Sequence, residues 1–556
     1  MAARMASPRP FLRLVALALA LGAGVARAGQ EPRYRTCEEL ERSLDEAAAL
    51  EGARIARLAH PALVAAGVSA FEIASAGPVE RELRPTLLVL GGFDGISLAG
   101  SEAAVACARA LGSPASPLGP DVSVVVIPCA ARAALERYLA EQRGDGGDGT
   151  PVDSDRDGSA DEDGPEDLDG DGLVLSMLVE DPAGAWVLSD DDRFLVPAGP
   201  LDAPRLALRP EGRDDDGDGR YNEDGPGGVV LERNFPLERP AADPTTGALP
   251  LSQPAARALA DFVLERRVFA VLSLQGSHGF LAGPGGTAAI ESWAAPDRAL
   301  YELCVREFRT ATGRAQPQAL SRRAARLADE GGVAQDWFAV VGGALSLELA
   351  PWGPAVARNS RGPALDARFE REPSQGARPP LERDARWRPY LDDVTGGSAF
   401  VPWTPHLLGG TRVRIGGWKP WTIENPPPSE LARALGGIER FALGLAQGAP
   451  RLELEVRAER DGRIVTLRAR VRNVGRLPTS LAARSAVRAQ VGVSLECVLE
   501  DGQQLLAGRE LDALGTLAGG ESSAEREWVV LVPEGSSLAL RAAAPWCNPV
   551  RTEVRP

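Results

Sequence analysis

Histidine is almost missing from this chain. Three occur in 556 residues, His60, His278 and His406, and they are scattered. A metal site built mainly from imidazole is therefore not expected, since a lone His is more often a surface or hydrogen-bonded residue than a ligand. Cysteine is also sparse. The six (Cys37, Cys107, Cys129, Cys304, Cys497 and Cys547) include no C-x-x-C pair, which argues against a thiolate zinc site. Beyond the first 28 residues no stretch is apolar enough to span a bilayer. No basic stripe runs along the chain, and the net charge is −16, so nucleic acid is not expected as a partner.

The N-terminus carries an export pattern. Arg4, Arg9 and Arg13 precede or enter the apolar run LRLVALALALGAGV, and Ala-Arg-Ala follows at 26–28. A basic start, a short apolar core and an A-x-A site read as a cleaved signal peptide over residues 1–28. The run is shorter than the roughly 20 residues of a membrane anchor. The mature protein is expected to be secreted or periplasmic, a setting that permits disulfides. Cys497 and Cys547 share the C-terminal segment and are the first pair to consider, although spacing alone does not choose a pairing.

The acidic charge is concentrated. Residues 145–171 hold 12 acids and one Arg, and residues 211–225 hold seven acids and two Arg, giving −11 and −5. Within these stretches DSDRDGSADEDGP (153–165) and DDDGDGRYNEDGP (214–226) repeat one pattern. Oxygen ligands at positions 1, 3, 5 and 9, with Gly at 6 for the sharp turn, are what a calcium loop requires. The candidate ligands are Asp153, Asp155, Asp157 and Asp161 in the first loop, and Asp214, Asp216, Asp218 and Asn222 in the second. A shorter run, DLDGDG, offers Asp167, Asp169 and Asp171. Position 12 is Gly164 or Gly225 where a helical EF-hand has Glu, so these are calcium-type loops without flanking helices. Calcium is the expected cation; a merely solvated acidic insert is the alternative.

Continuous apolar runs without alternation, PTLLVLGG, VSVVVIP, VFAVLSL and ALSLELA, alternate with helical patterns. They predict strands buried on both faces of an α/β sheet. Frequent proline from about 350 to 430 reads as long surface loops. After Pro450 the pattern becomes apolar–polar alternation around turns, which predicts an antiparallel β-sandwich over 451–556. The α/β domain then occupies 29–447, with acidic loops at 145–172 and 211–226.

The α/β part resembles the zinc carboxypeptidases of the carboxypeptidase A type over roughly residues 80–445. GGVVLERNFP is similar to the family's G-V-D-x-N-R-N-F segment. AVLSLQGSHGF is similar to the strand that ends in the third zinc ligand. DWFAVVGGALSLELAPW is similar to the D-W-x-Y segment and the strand that delivers the general-base Glu. GGWKPWTIENPP resembles a loop of exported bacterial members with Asp-rich insertions. The resemblance implies a mixed eight-stranded sheet between helices, and removal of C-terminal residues by a zinc-activated water. It places Glu348 at the general-base position, Arg233 and Glu232 at the substrate-carboxylate pair, and Asp94, Ser97 and Gln275 at the three zinc-ligand positions. Neutral Ser and Gln are poor zinc ligands, so zinc is not expected, and Glu232 would repel a substrate carboxylate. The favoured reading is a secreted, calcium-stabilised pseudoenzyme binding a peptide or related ligand in the former active-site groove. Two others stand beside it. One is an active metallocarboxypeptidase with an atypical metal site, using Asp94 with His278. The other is a calcium-stiffened structural envelope protein.

Overall fold

The computed structural model describes residues 33–141, 146–151, 158, 160, 166–215, 221, 227–240, 243–276, 279–285, 293–314, 331–353, 388, 390–419, 422, 424–482 and 492–555. The expected signal segment, residues 1–28, lies outside these residues. Among them, no helix is long and apolar enough to cross a membrane.

The apolar runs form the central sheet. β1 (Ile55–Arg57), β2 (Phe71–Ile73), β3 (Thr86–Gly91), β4 (Ser123–Ile127), β9 (Val268–Leu274), β10 (Leu281–Ala282) and β11 (Leu345–Leu349) pair in the order β1-β2-β4-β3-β9-β11-β10. The inner strands β4, β3, β9 and β11 are parallel, and the outer pairings are antiparallel. This is the mixed sheet expected, with seven strands among the described residues. Side chains alternate between its faces, as a pleated strand requires. In β3, Leu87 and Val89 enter one core while Leu88 and Leu90 enter the other.

Helices cover both faces. The first core is closed by α1 (Cys37–Ala48), α3 (Leu98–Gly112), α6 (Ala295–Thr312), α8 (Leu431–Leu435) and α9 (Ile438–Gln447). The second is closed by α2 (Pro61–Ala65), α5 (Pro254–Glu265) and α7 (Ala334–Val340). α4 (Arg132–Glu141) gives Leu135 and Tyr138 to the first core and Ala134 to the second.

A second sheet was not anticipated from the sequence. β5 (Ser176–Glu180), β6 (Trp186–Leu188), β7 (Leu195–Pro197), β8 (Leu206–Pro210), β12 (Phe400–Leu408) and β13 (Thr411–Trp418) form an antiparallel sheet in the order β12-β13-β5-β8-β6-β7. The reading of 350–430 as surface loops is thus corrected over 400–418. Two of the prolines that prompted it, Pro402 and Pro405, lie in β12, the edge strand. There a missing N–H breaks no inner ladder, and the register shifts between Val401 and Thr404.

The C-terminal part is an antiparallel sandwich. β14 (Leu452–Asp461), β15 (Ile464–Asn473), β17 (Gln504–Ala507) and β19 (Arg526–Leu531) make one sheet. β16 (Val493–Val498), β18 (Leu511–Gly515), β20 (Leu538–Ala544) and β21 (Cys547–Val554) make the other. All six cysteines are buried and unbridged. Cys497 and Cys547 cannot pair in this arrangement, because β20 runs between their strands. Two strand spacings put them roughly 10 Å apart or more, beyond disulfide reach.

The sandwich is joined to the α/β domain by burial as well as by chain. Trp546, together with Leu477 and Leu481, belongs to the first core of the α/β domain. The Trp546 indole N–H donates to the Gly343 carbonyl at 2.9 Å, just before β11. Removing a buried Trp side chain costs about 3–5 kcal/mol through lost burial and cavity formation. Trp546→Ala should therefore lower the denaturant midpoint of the whole chain in one transition followed by circular dichroism. Two separate transitions, with the α/β one at its original midpoint, would contradict this coupling.

Candidate functional site

The order of the central sheet marks where a ligand crevice is expected, without reference to any relative. From β3 the chain passes to β4 on one side, and β9 flanks β3 on the other. Ligands of open α/β sheets bind outside the carboxyl ends of the strands at such a switch point, where connections diverge and leave a cleft. The residues there are the turn 92–97 after β3, Gln275 and Gly276 after β9, and Glu348 near the end of β11.

Asp94 organises this end of the sheet. Its Oδ1 accepts the backbone N–H of Ile96 at 3.2 Å and of Ser97 at 2.9 Å. Its Oδ2 accepts the Ser97 hydroxyl at 2.6 Å and the Gly276 N–H at 2.9 Å. The Ser97 Oγ itself accepts from Gly276 at 2.9 Å. Glycine is required nearby for space. A Cβ on Gly100 would lie 1.9 Å from the Leu274 carbonyl oxygen, and one on Gly95, which also has φ +77°, would lie 2.5 Å from that of Gly146. The first contact seats α3 directly on β9, and the second brings the start of the acidic insertion against the site turn.

Gln275 lies between two carboxylates. Its Nε2 donates to Glu232 Oε2, and lies 3.4 Å from Glu348 Oε2. All three side chains are buried. With the amide nitrogen turned to the acids, its Oε1 is a buried acceptor without a hydrogen-bond partner among the described residues. The opposite amide orientation would set an oxygen against two carboxylates, so the network fixes this one.

Arg233 is turned elsewhere. Its guanidinium pairs with Asp243 at 2.6 Å and donates to the Thr245 hydroxyl at 2.8 Å. Asn234, which sequence reasoning passed over, is fully buried. Its amide donates to the Thr246 carbonyl at 2.8 Å and to the Leu249 carbonyl at 3.1 Å, and accepts from the Gln253 N–H at 2.9 Å. It holds together the turn that presents Glu232. The structure thus brings Asp94, Ser97, Gln275, Glu232 and Glu348 together as a buried polar cluster at the strand ends and leaves Arg233 paired with Asp243. His278 lies outside the described residues.

A second missed residue is Asn425, in the loop GGWKPWTIENPP. Its Oδ1 accepts from the Ala99 N–H at 3.0 Å and its Nδ2 donates to the Ile96 carbonyl at 2.8 Å. It caps the first turn of α3 from 326 residues away. An Asn deep in a proline-rich loop was the available signal.

The acidic insertions begin at the rim of the crevice. The Asp148 N–H donates to the Val229 carbonyl at 3.2 Å, and the Asp148 side chain accepts the Val229 N–H through Oδ1 at 3.0 Å. Glu232 follows three residues later. Further out, β5 and β8 are antiparallel neighbours, so the insertions leave the same end of one strand pair. Buried Glu211 ties them together, accepting the N–H groups of Leu168 and Leu175 at 2.8 Å each. Asp167, Asp169 and Asp171 bring one carboxylate oxygen each to within 4.8 Å of one another. Burial, together with the neighbouring charges of Asp171 and Asp167, raises the pKa of Asp169. Of the expected loop ligands only Asp214 is described; Asp153, Asp155, Asp157, Asp161, Asp216, Asp218 and Asn222 lie outside the described residues.

Comparisons with known proteins add the following. Residues 451–555 match a family described as a domain of unknown function (DUF8731). No curated protein matches the chain. Among solved structures it is similar to a thrombin activatable fibrinolysis inhibitor, at 10% identity and TM-score 0.34, over 60% of this chain and 72% of that one. It is similar to a metallo-carboxypeptidase from Burkholderia cenocepacia, at 11% identity and TM-score 0.34, over 74% and 69%. A putative carboxypeptidase from Burkholderia mallei gives 10% identity and TM-score 0.34, over 74% and 68%. The placement of the site rests on strand order and hydrogen bonds, independently of these superpositions.

Asn425→Ala should destabilise the chain by about 1–3 kcal/mol, because it strands a buried N–H and a buried carbonyl. Asn425→Asp, which keeps the acceptor, should lose less. Equal urea midpoints for Asn425→Ala and the parent would contradict the role given to this residue.

Proposed function

We propose that this chain is an exported, carboxypeptidase-like protein that binds a peptide or peptide-like ligand at the strand-end crevice and does not hydrolyse it. The observation that carries this reading is the use already made of the ligand positions. A catalytic zinc needs three good N, O or S donors and one open position. A carboxylate offers about four lone-pair directions, and four donors already occupy those of Asp94. Ser97 is a neutral hydroxyl that donates to that carboxylate. Gln275 turns nitrogen rather than oxygen toward Glu232 and Glu348. The donor set does not fit zinc. Without a metal-bound water, Glu348 has no nucleophile to deprotonate.

Binding has support of its own. The Gln275 Oε1 is a buried acceptor at the crevice floor, and leaving one unpaired costs about 1–3 kcal/mol. A ligand N–H, from a peptide bond or an amine, would satisfy it. With Arg233 held by Asp243 and Thr245, recognition of a free C-terminal carboxylate is not the main contact. Calcium is assigned to the acidic insertions as a stabiliser. Burial first, and then the like charges of Asp171 and Asp167, make Asp169 hold its proton to higher pH than an ordinary Asp. A divalent cation with oxygen preference relieves the repulsion between these charges.

Three measurements test these assignments. The mature protein should leave C-terminal residues of a mixed peptide library untrimmed in the presence of zinc. The triple change Asp94→His, Ser97→Glu and Gln275→His should gain bound zinc. Trimming by the parent, abolished in Glu348→Gln, would overturn the reading. Separately, calcium should raise the melting temperature, and Asp167→Asn with Asp169→Asn should reduce that rise. A calcium response unchanged in the double variant would remove these residues from the cation site.

A further inference from the structure

The six cysteines are not equivalent, and one pair is placed to react. Cys37 is the first residue of α1, and Cys129 lies in the turn after β4. Both are buried in the same apolar core, at 4% and 5% exposure. Two ion pairs bracket them. One turn further along α1, Glu41 pairs with Arg132, three residues beyond Cys129. On the other side of Cys37, Arg35 makes a forked pair with Glu102 of α3, its Nε lying 3.2 and 3.1 Å from the two carboxylate oxygens. The first turn of α1 is therefore fixed against the 129–132 turn from both directions. The Cys129 thiol is held protonated by the neighbouring Cys37 thiol and by burial. The other thiols respond to burial before anything else. Cys304 is pushed up to about 12 and Cys497 to about 11, and neither has another cysteine among its influences.

We propose that Cys37 and Cys129 form a disulfide in the mature protein, stapling the N-terminal helix to the central sheet beside the crevice. The natural occurrence of the bond rests on the export reading above; the pairing itself rests on the packing of the first turn of α1 against the 129–132 turn. The oxidant is a thiol–disulfide oxidoreductase of the export compartment or, in vitro, oxidised glutathione. One thiol loses its proton and attacks a sulfur of the oxidant's disulfide, releasing a thiol. The second thiolate then displaces the oxidant from the mixed disulfide. Two electrons pass to the oxidant, which leaves as two thiols, and one S–S bond joins Cys37 to Cys129. Because both sulfurs are shielded once α1 has docked, the bond forms before docking is complete. Thereafter it resists reductant until the helix detaches. The staple closes the whole segment between the two residues, a span long enough for a cross-link to restrict the unfolded chain strongly.

The test is refolding of the mature chain from denaturant in a glutathione redox buffer, followed by unfolding without reductant, alkylation and mass measurement. Four alkylated thiols and one linked peptide pair containing Cys37 and Cys129 are expected. Six alkylated thiols, or a different linked pair, would overturn the pairing. The double variant Cys37→Ala, Cys129→Ala removes both thiols and leaves a small apolar residue at each place. Its urea midpoint should be insensitive to reductant, whereas that of the parent should fall. A reductant-dependent fall of equal size in the double variant would also overturn the pairing. If the bond forms on refolding but is absent from protein recovered from the cell, the export reading fails and the pairing stands.

Discussion

The carboxylate of Asp94 ties the end of β3 to the end of β9, and the crevice is built around that tie. Its four hydrogen bonds draw the 94–97 turn tight, seat the first turn of α3 and fix the Gly276 N–H across the switch point. A buried charge is tolerable only when hydrogen bonds replace its lost water, and here the backbone and one hydroxyl supply them. In the function proposed above, the same hydrogen bonds that make Asp94 a good structural anchor leave it a poor metal donor, because both uses draw on the same lone pairs.

The second polar cluster follows the same logic. Gln275 separates Glu232 from Glu348 by offering amide nitrogen to both. Around this floor, Asn425 and Asn234 hold the supporting turns, while the acidic insertions rise from the rim at Asp148 and Val229. A cation bound further out would stiffen strands that lead straight back to the turn bearing Glu232. That gives the acidic repeats a structural connection to the crevice.

Much of this was legible in the sequence because its signals were local. The uninterrupted runs TLLVLG, SVVVI and VFAVLSL could only be strands buried on both faces, and Asp94, Gln275 and Glu348 sit where such strands end. What was not legible depended on distance along the chain. Asn425 reaches α3 from a proline-rich loop with no periodicity to mark it. The six-stranded sheet joins 176–180 to 411–418, and the prolines of its edge strand masked its alternation. The expected Cys497–Cys547 pair failed because sequence proximity says nothing about an intervening strand. The contact of Cys37 with Cys129 could be found only once helix and sheet were packed. Arg233 kept its place in the motif but not the freedom of its side chain, since Asp243 and Thr245 arrive from the following turn.

The central claim is that the crevice holds no catalytic metal. Elemental mass spectrometry of the purified mature protein, after exposure to zinc and calcium and removal of loosely held ions, tests it most directly. Bound calcium with no stoichiometric zinc is the predicted result. One tightly held zinc per chain would contradict the account.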